Sequence, residues 1–350
     1  MTMTVLVTGG AGFIGSHTCV ELLASGCDVV VVDDYSNSSP AALDQVRKLA
    51  GRPITVCRAD LRDRAALDAV FEAHAIDAVI HFAAKKAVGE SMGIPLDYFD
   101  INIGGTTSLL RAMWAHGVHR LVFSSSCSIY GSSAKVPLDE DEPAAPTNPY
   151  AMSKWTCEQL LAQACERHPE LAVIALRYFN PVGAHPSGLI GEDPLGLPNN
   201  VMPYLMQVAV GRLERLPVFG DDYPTPDGTP IRDYIHVCDL AEGHRLALEH
   251  LGDATGLRVF NLGTGVGVSV LQLVEAFGQA CGQAIPFRIM PRRPGDVARL
   301  IADASRVERA WGWRTTHDLA AMCRDAWQFQ KLNPHGYRGM VAPVLSTLET

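Results

Sequence analysis

The stretch VLVTGGAGFIGSH, residues 5–17, places Gly9, Gly12 and Gly15 at a Gly-x-x-Gly-x-x-Gly spacing between an apolar run and a helical pattern. Glycine is favoured where the backbone turns with a positive φ angle and approaches a ligand closely. The N–H groups and the positive dipole end of the next helix can then bind a pyrophosphate. Glycine-rich turns without a ligand are common, but a second apolar run ends at Asp33, where a dinucleotide-binding unit requires an acidic residue. The stretch therefore predicts a dinucleotide-binding loop.

Asp33 also indicates which dinucleotide is bound. Its carboxylate can accept hydrogen bonds from both ribose hydroxyls and would repel a 2′-phosphate, so NAD is favoured over NADP. Lys86 could reach a cofactor hydroxyl or phosphate, or could be an ordinary solvated lysine. His81 is expected to be a hydrogen-bonded histidine of the core or sheet end rather than a catalyst. Further cofactor contacts are expected where the third and fourth apolar runs end, at Asp60, Leu61, Phe82, Ala83 and Ala84.

The first part of the chain alternates apolar, β-branched runs with helical patterns. Strands are predicted at residues 4–7, 29–32, 54–57, 78–82, 120–123 and 171–177, and helices at 16–24, 65–73 and 104–116. Continuous apolar strands separated by helices are typical of a parallel sheet that is covered on both faces. The predicted fold class is therefore α/β, with a Rossmann-type doubly wound parallel sheet over residues 1–180.

A second, smaller α/β lobe is predicted over residues 181–338, for substrate binding. It opens with a loop rich in glycine and proline, residues 181–203, of a kind that usually carries function. A helix over 234–250 and a strand over 258–262 could return to the first sheet, and a last helix is expected around 317–331. Residues 339–350 are expected to form a loosely ordered tail.

Composition narrows the class of protein. The formal net charge of −9 argues against nucleic acid or an anionic membrane surface as a partner. The nine cysteines are odd in number and contain no C-x-x-C pair, so we expect free thiols and neither disulfides nor a metal site. We identify no signal peptide and no apolar run long enough to cross a bilayer, which predicts a cytoplasmic location.

A serine, a tyrosine and a lysine are the candidate catalytic residues. The fifth predicted strand leads into FSSSCS, which brings Ser126 to the edge of the sheet where ligands bind. Pro149 suits the first turn of a helix that carries Tyr150 and Lys154 on one face. A phenol is a poor base at neutral pH, and we expect the nearby ammonium and a positive nicotinamide to lower its pKa. Tyr150 could then accept a substrate proton while hydride leaves the same carbon.

Nine motifs extend the pattern along the chain: TGGAGFIG, HFAAKKAVGES, SSSCSIYG, YAMSK, RYFNPVGAHPSG, PNNVMPY, FGDDYPTPDGT, RDYIHVCDLAEGH and NLGTGVG. From about residue 4 to about residue 337, the chain resembles the UDP-glucose 4-epimerase (UDP-galactose 4-epimerase) family of the extended short-chain dehydrogenases/reductases. The resemblance implies reversible epimerisation of UDP-glucose and UDP-galactose at C4, through a transient 4-keto sugar and tightly bound NAD, in galactose metabolism. It also implies a homodimer, for which helices 104–116 and 150–166 are candidate contacts.

The resemblance carries over to individual residues. It adds to the cofactor site Phe13, Ile14, Asp34, Asn37, Ser38, Asn102, Tyr178 and Phe179, together with Lys86, Ser126, Tyr150 and Lys154. It implies a substrate site made of Lys86, Ser126, Ser128, Tyr150, Asn180, Asn199, Asn200, Val201, Pro217, Val218, Phe219, Arg232, Arg293, Asp296 and Leu300. Arg232 and Arg293 would contact the pyrophosphate, Asp296 the uridine ribose, and residues 217–219 the uracil. Without the resemblance, Arg232 and Arg293 would be interpreted as surface charges, and Tyr178 and Phe179 as ordinary core aromatics.

Departures from the family pattern leave alternatives open. Lys85 adds a charge where the family often has leucine, and Ser128 stands where threonine is usual. Leu300 occupies a position where tyrosine restricts the pocket to plain hexoses and a small residue admits N-acetylhexosamines. The chain could therefore also, or instead, be a UDP-N-acetylglucosamine 4-epimerase, or another nucleotide-sugar epimerase or decarboxylase of the superfamily. The Asp-Glu pair of the related dehydratases is missing after Ser126, and a scaffold protein that had lost its chemistry would not be expected to keep all three catalytic residues.

Overall fold

Seven parallel strands form the main sheet of the computed structural model, which describes residues 2–133 and 135–340. In chain order the strands are β1 (Thr4–Thr8), β2 (Asp28–Asp33), β3 (Thr55–Arg58), β4 (Ala78–His81), β5 (Arg120–Ser126), β6 (Ala172–Tyr178) and β10 (Gly256–Leu262). Their spatial order is β3-β2-β1-β4-β5-β6-β10. The order reverses between β1 and β4, and ligands of doubly wound sheets bind in the crevice at such a point.

Helices cover both faces of this sheet. They are α1 (Phe13–Ala24), α2 (Pro40–Ala50), α3 (Arg64–Ala73), α4 (Val88–Gly93), α5 (Pro95–Tyr98), α6 (Gly105–Ala115), α7 (Pro149–Arg167) and α9 (Val237–Glu249). Alternate residues of one strand enter different cores: Val5 and Val7 pack in one cluster, and Leu6 packs in another. Because both faces of each strand are buried, the strands are continuous apolar runs in the sequence. The doubly wound parallel fold predicted from the sequence is confirmed.

The second lobe contains shorter elements. They are β7 (Asn180–Val182), α8 (Val201–Ala209), β8 (Leu216–Phe219), β9 (Ile231–His236), β11 (Gly267–Ser269), α10 (Val270–Cys281), β12 (Phe287–Met290), β13 (Arg299–Leu300) and α12 (Leu319–Leu332). Helix α11 (Ser305–Trp311) instead packs against β10 of the first sheet. β9 lies centrally, paired with β7, β11 and β13, while β8 pairs with β12. Strand β10 lies beside β6 in the first sheet, and α9 packs against α1.

Some predicted boundaries were wrong. The helix expected at residue 234 begins at Val237, because residues up to His236 continue β9 and the His236 ring accepts a hydrogen bond from the Cys238 N–H. β5 runs on to Ser126 because its serines stay paired with β6. Of the expected tail, residues 341–350 lie outside the described residues. In the part that is described, no helix is both long and apolar enough to span a bilayer.

Candidate active site

A cavity of about 1000 Å³ lies between the two lobes, at the carboxyl ends of the central strands. It is lined by every residue predicted above to bind cofactor or substrate except Asn102 and Val218. The Asn102 amide is used up within the protein, since it accepts from the Lys85 N–H and donates to the Lys85 carbonyl and the Ser153 hydroxyl. Val218 is fully buried in the core of the second lobe. The structure therefore gives these two residues supporting positions behind the cavity wall.

The glycine loop at one end of the cavity has no room for side chains. A Cβ atom on Gly9, whose φ is +71°, would lie 2.7 Å from the Ala83 nitrogen, and one on Gly15 would lie 2.3 Å from the Gly9 oxygen. Gly12 begins α1 without a side chain to cap the free N–H groups. Such a bare cradle of backbone donors at a helix N-terminus fits a pyrophosphate.

The Asp33 carboxylate stands beside this loop and is almost fully buried. It accepts hydrogen bonds from the Ala11 N–H (2.9 Å), the Tyr35 N–H (2.9 Å) and the Ser38 hydroxyl (2.7 Å). These donors fix its position at the end of β2. The combination of bare loop and fixed carboxylate fits NAD, because a ribose with free hydroxyls suits an acceptor and a 2′-phosphate does not.

Ser126, Tyr150 and Lys154 come together at the middle of the cavity. Ser126 ends β5, while the other two lie on the first turns of α7. The start of this helix is fixed by Pro149 and by a hydrogen bond of 2.9 Å from the Ala151 N–H to Asn148 Oδ1. Lys154 Nζ donates to the Ser124 carbonyl over 2.7 Å. The Ser126 and Ser128 hydroxyl oxygens are 2.8 Å apart. Two hydroxyls, a phenol and an ammonium thus face one space.

The pKa values of this cluster differ from the expectation for the phenol. Burial raises the pKa of Tyr150 to about 12, and the nearby Ser126 hydroxyl acts in the opposite direction. Burial also lowers the pKa of Lys154 to about 8, and the neighbouring Cys157 and Glu158 act in the opposite direction. Desolvation disfavours the charged form of both groups, and the ammonium is directed to a backbone carbonyl. The expected lowering of the Tyr150 pKa by Lys154 is therefore not present in the protein by itself.

At the other end of the cavity two guanidinium groups share one weak acidic partner. Arg232 lies 3.7 Å from an Asp296 oxygen. Arg293 donates to the Asn199 carbonyl over 3.2 Å and stacks 3.8 Å over the Phe219 ring, and burial lowers its pKa. Partly buried cations in excess of carboxylates form a site for an anion, and guanidinium forks suit phosphate oxygens.

Several single residues complete the site. Lys86 lines the cavity and donates to Glu192 Oε1 over 2.8 Å. Glu192 was not predicted from the sequence, because the glycines and prolines of its loop indicated a functional loop but no particular residue in it. His81 has Thr8 and Thr106 hydroxyl oxygens within 2.7 and 3.0 Å of its ring nitrogens, which confirms the interpretation of a hydrogen-bonded histidine. Lys85 lies 3.5 Å from Glu90. Leu300 packs in a cluster with Phe179 and Cys127.

The fold and the site define a dinucleotide-dependent enzyme, and the chain belongs to the NAD dependent epimerase/dehydratase family, whose model matches residues 5–263. It is 54% identical over 336 residues to UDP-glucose 4-epimerase of Bacillus subtilis (strain 168), covering 96% of this chain and 99% of the relative. UDP-glucose 4-epimerase of Mus musculus is 51% identical over 340 residues, covering 95% and 98%. A crystal structure of UDP-glucose 4-epimerase from Bifidobacterium longum in complex with NAD+ and UDP has a TM-score of 0.94 at 49% identity, covering 95% of this chain and 100% of that chain.

Proposed function

We propose that the protein interconverts UDP-glucose and UDP-galactose by epimerisation at C4, with NAD as a tightly bound cofactor. The observation that carries this proposal is the position of Ser126, Tyr150 and Lys154. They lie in one cavity, between a dinucleotide loop at one end and a pair of guanidinium groups at the other. The similarity to UDP-glucose 4-epimerases over nearly the whole chain supports the same reaction.

Each residue of the site has a different role in the proposed reaction. The glycine loop and Asp33 would hold NAD, whose chemistry would be to accept and donate hydride at C4, and whose positive charge would lower the Tyr150 pKa. Tyr150 accepts the proton of the C4 hydroxyl and returns it after the 4-keto sugar has rotated to present its opposite face. Ser126 and Ser128 orient that hydroxyl, and Lys154 contributes positive charge beside the phenol.

Epimerisation also requires a firmly held nucleotide and a loosely held sugar. Arg232 and Arg293 would bind the pyrophosphate of UDP, with Asp296 at its ribose and Phe219 at its base. Around Ser126 the described residues present hydroxyl groups, the Tyr150 phenol and the Lys154 ammonium, which is bonded to the Ser124 carbonyl, so few groups there would hold the sugar in one orientation. This contrast supports an epimerase rather than a dehydrogenase that releases its product.

Turnover of a panel of UDP-sugars tests the proposal. The purified protein should convert UDP-galactose to UDP-glucose and UDP-glucose to UDP-galactose, without loss of carbon dioxide from UDP-glucuronate. Conversion of a uronate but not of hexoses would replace the proposal by a uronate epimerase or decarboxylase. Binding of NAD and UDP without any conversion would favour a scaffold protein.

We also propose that the protein is a homodimer, through α6 and α7. Trp114 on α6 and Met152 on α7 are 55% and 41% exposed, and both helices contribute to one core cluster, so an interface formed by the two helices would cover both side chains. Light scattering should give twice the mass of one chain, and Trp114→Glu should shift it toward the monomer. Leu332→Glu, at an exposed leucine of the other lobe, is the control and should leave the mass unchanged. A monomeric wild-type protein would refute the proposal.

A cytoplasmic location is proposed as well. All nine cysteines have free thiols, as expected for a reducing compartment. Fractionation of cells should recover the protein with cytoplasmic markers, and recovery with membranes or in the medium would contradict the proposal.

A further inference from the structure

One carboxylate, that of Glu192, joins the two walls of the cavity. Lys86, on the segment after β4, donates to Glu192 Oε1 over 2.8 Å. Asn200, which precedes α8 in the second lobe, donates to the same oxygen over 2.9 Å. Both partners line the cavity, and both belong to the proposed ligand site. Glu192 itself is only 5% exposed.

The hydrogen bonding of Glu192 is incomplete. Oε2, its second carboxylate oxygen, is buried and has no hydrogen-bond partner in residues 2–133 and 135–340. A buried carboxylate oxygen without a donor costs stability that an apolar side chain of similar shape would not. A glutamate at this position is therefore poorly explained by the stability of the fold.

The loop that carries Glu192 is fixed on both sides. The Tyr337 hydroxyl accepts from the Gly191 N–H (3.0 Å) and donates to the Gly191 carbonyl (3.2 Å). The Leu195 N–H donates to Asn37 Oδ1 over 3.1 Å. Lys86, in contrast, has a long side chain that is 44% exposed. The anchored carboxylate therefore sets the position of the ammonium, and not the reverse.

We propose that Glu192 is a positioning residue for the UDP-sugar: it holds the Lys86 ammonium and the Asn200 amide so that their remaining N–H donors face the ligand. An ammonium has three donors and a primary amide two, so two and one are left after the bonds to Glu192. The inference rests on the proposed function, because it assigns a role within that site.

Glu192→Gln separates positioning from simple charge effects. Removing a carboxylate makes the cavity more positive, and electrostatics alone would tighten the binding of UDP. Loss of positioning predicts the opposite, with the dissociation constant of UDP raised roughly tenfold and kcat/KM lowered by a similar factor. The matched control is Glu242→Gln, which removes a glutamate paired with Arg245 outside the cavity lining and should leave UDP binding unchanged. Unchanged or tighter UDP binding by Glu192→Gln would overturn the proposal.

A second variant tests whether Glu192 acts through Lys86. Lys86→Met leaves the buried carboxylate without its cation and should lower the Tm. Adding Glu192→Gln removes the stranded charge and should restore much of the Tm, while weakening UDP binding less than it does in the wild-type background. Independent, additive effects of the two substitutions on UDP binding would show that Glu192 does not work through Lys86.

Calorimetric titration with UDP needs no turnover, so the two proposals can fail separately. Weaker UDP binding by Glu192→Gln in a protein without epimerase activity would overturn the proposed reaction and keep the positioning role. An active wild-type enzyme with equal UDP affinity in the variant would overturn the positioning role alone. A wild-type protein that does not bind UDP would overturn both.

Discussion

Removing the phenolic hydroxyl of Tyr150 separates chemistry from binding. Tyr150→Phe keeps the ring, whose edge-to-face contact with Tyr98 has a centroid distance of 6.5 Å. It removes the hydroxyl to which the proposed function assigns proton exchange with the substrate. The nearby Ser126 hydroxyl lowers the pKa of this phenol, against the larger opposite effect of burial.

The size of the effect follows from these contacts. A positioned general base contributes about 10²–10⁴ in rate, so kcat should fall about a thousandfold. The fold loses at most one hydrogen bond, worth about 1 kcal/mol. For a chain of 350 residues the Tm should therefore fall by only about 1–2 °C. The dissociation constant of UDP should stay within about threefold, because UDP anchoring lies at the other end of the cavity.

The assay is conversion of UDP-galactose, followed by chromatographic separation of the two UDP-hexoses, with UDP binding measured by calorimetry. Tyr130→Phe is a matched control, since its hydroxyl is buried and bonded to Asn261 and Arg177 outside the cavity lining. That variant should lose stability and keep most of its turnover. Near-normal kcat in Tyr150→Phe would refute the proton-transfer role.

Further predictions concern the loop, the sugar pocket and pH. Gly15→Ala should abolish co-purification of NAD, measured as dinucleotide released on denaturation, because its Cβ would lie 2.3 Å from the Gly9 oxygen; Gly252→Ala, with open space around it, should retain NAD. The wild-type protein should convert UDP-N-acetylglucosamine more slowly than UDP-glucose, and Leu300→Tyr should remove that activity; no conversion by the wild type would contradict this. Burial lowers the pKa of four histidines to about 3 or 4, namely His17, His81, His236 and His244. They are therefore neutral in the folded protein, whereas below about pH 6.5 they bind protons in the unfolded chain. Each should reduce the free energy of unfolding by up to about 1.4 kcal/mol per pH unit from about pH 6.5 down to about pH 4, measured by urea denaturation; a flat dependence would refute it.

Local patterns were sufficient for the first lobe. The glycine spacing, the apolar strands and Asp33 follow rules that operate within one βαβ unit, so each could be inferred without knowing the rest of the chain. Tyr150 and Lys154 were equally accessible, because four residues on a helix place two side chains on one face. Arg232 and Arg293 could be placed only through the family resemblance, since nothing local distinguishes a phosphate ligand from a surface charge.

Features that depend on long-range contacts were not predictable. Glu192 meets Lys86 across 106 positions of sequence, and no local pattern marks the pair. The second-lobe strands are two to six residues long and lack enough periodicity to be recognised. The raised pKa of Tyr150 has the same origin, since the burial that raises it is set by residues distant in sequence, such as Tyr98, and not by the helix that carries the phenol.

The central claim is that NAD stays bound through a complete catalytic cycle. The most direct test is to denature the purified protein, identify the released dinucleotide, and assay the native protein on UDP-galactose with no added cofactor. We expect NAD in an amount close to that of the protein, and steady formation of UDP-glucose without net production of NADH. Release of NADP, or a reaction that proceeds only while added NAD is consumed, would contradict the account.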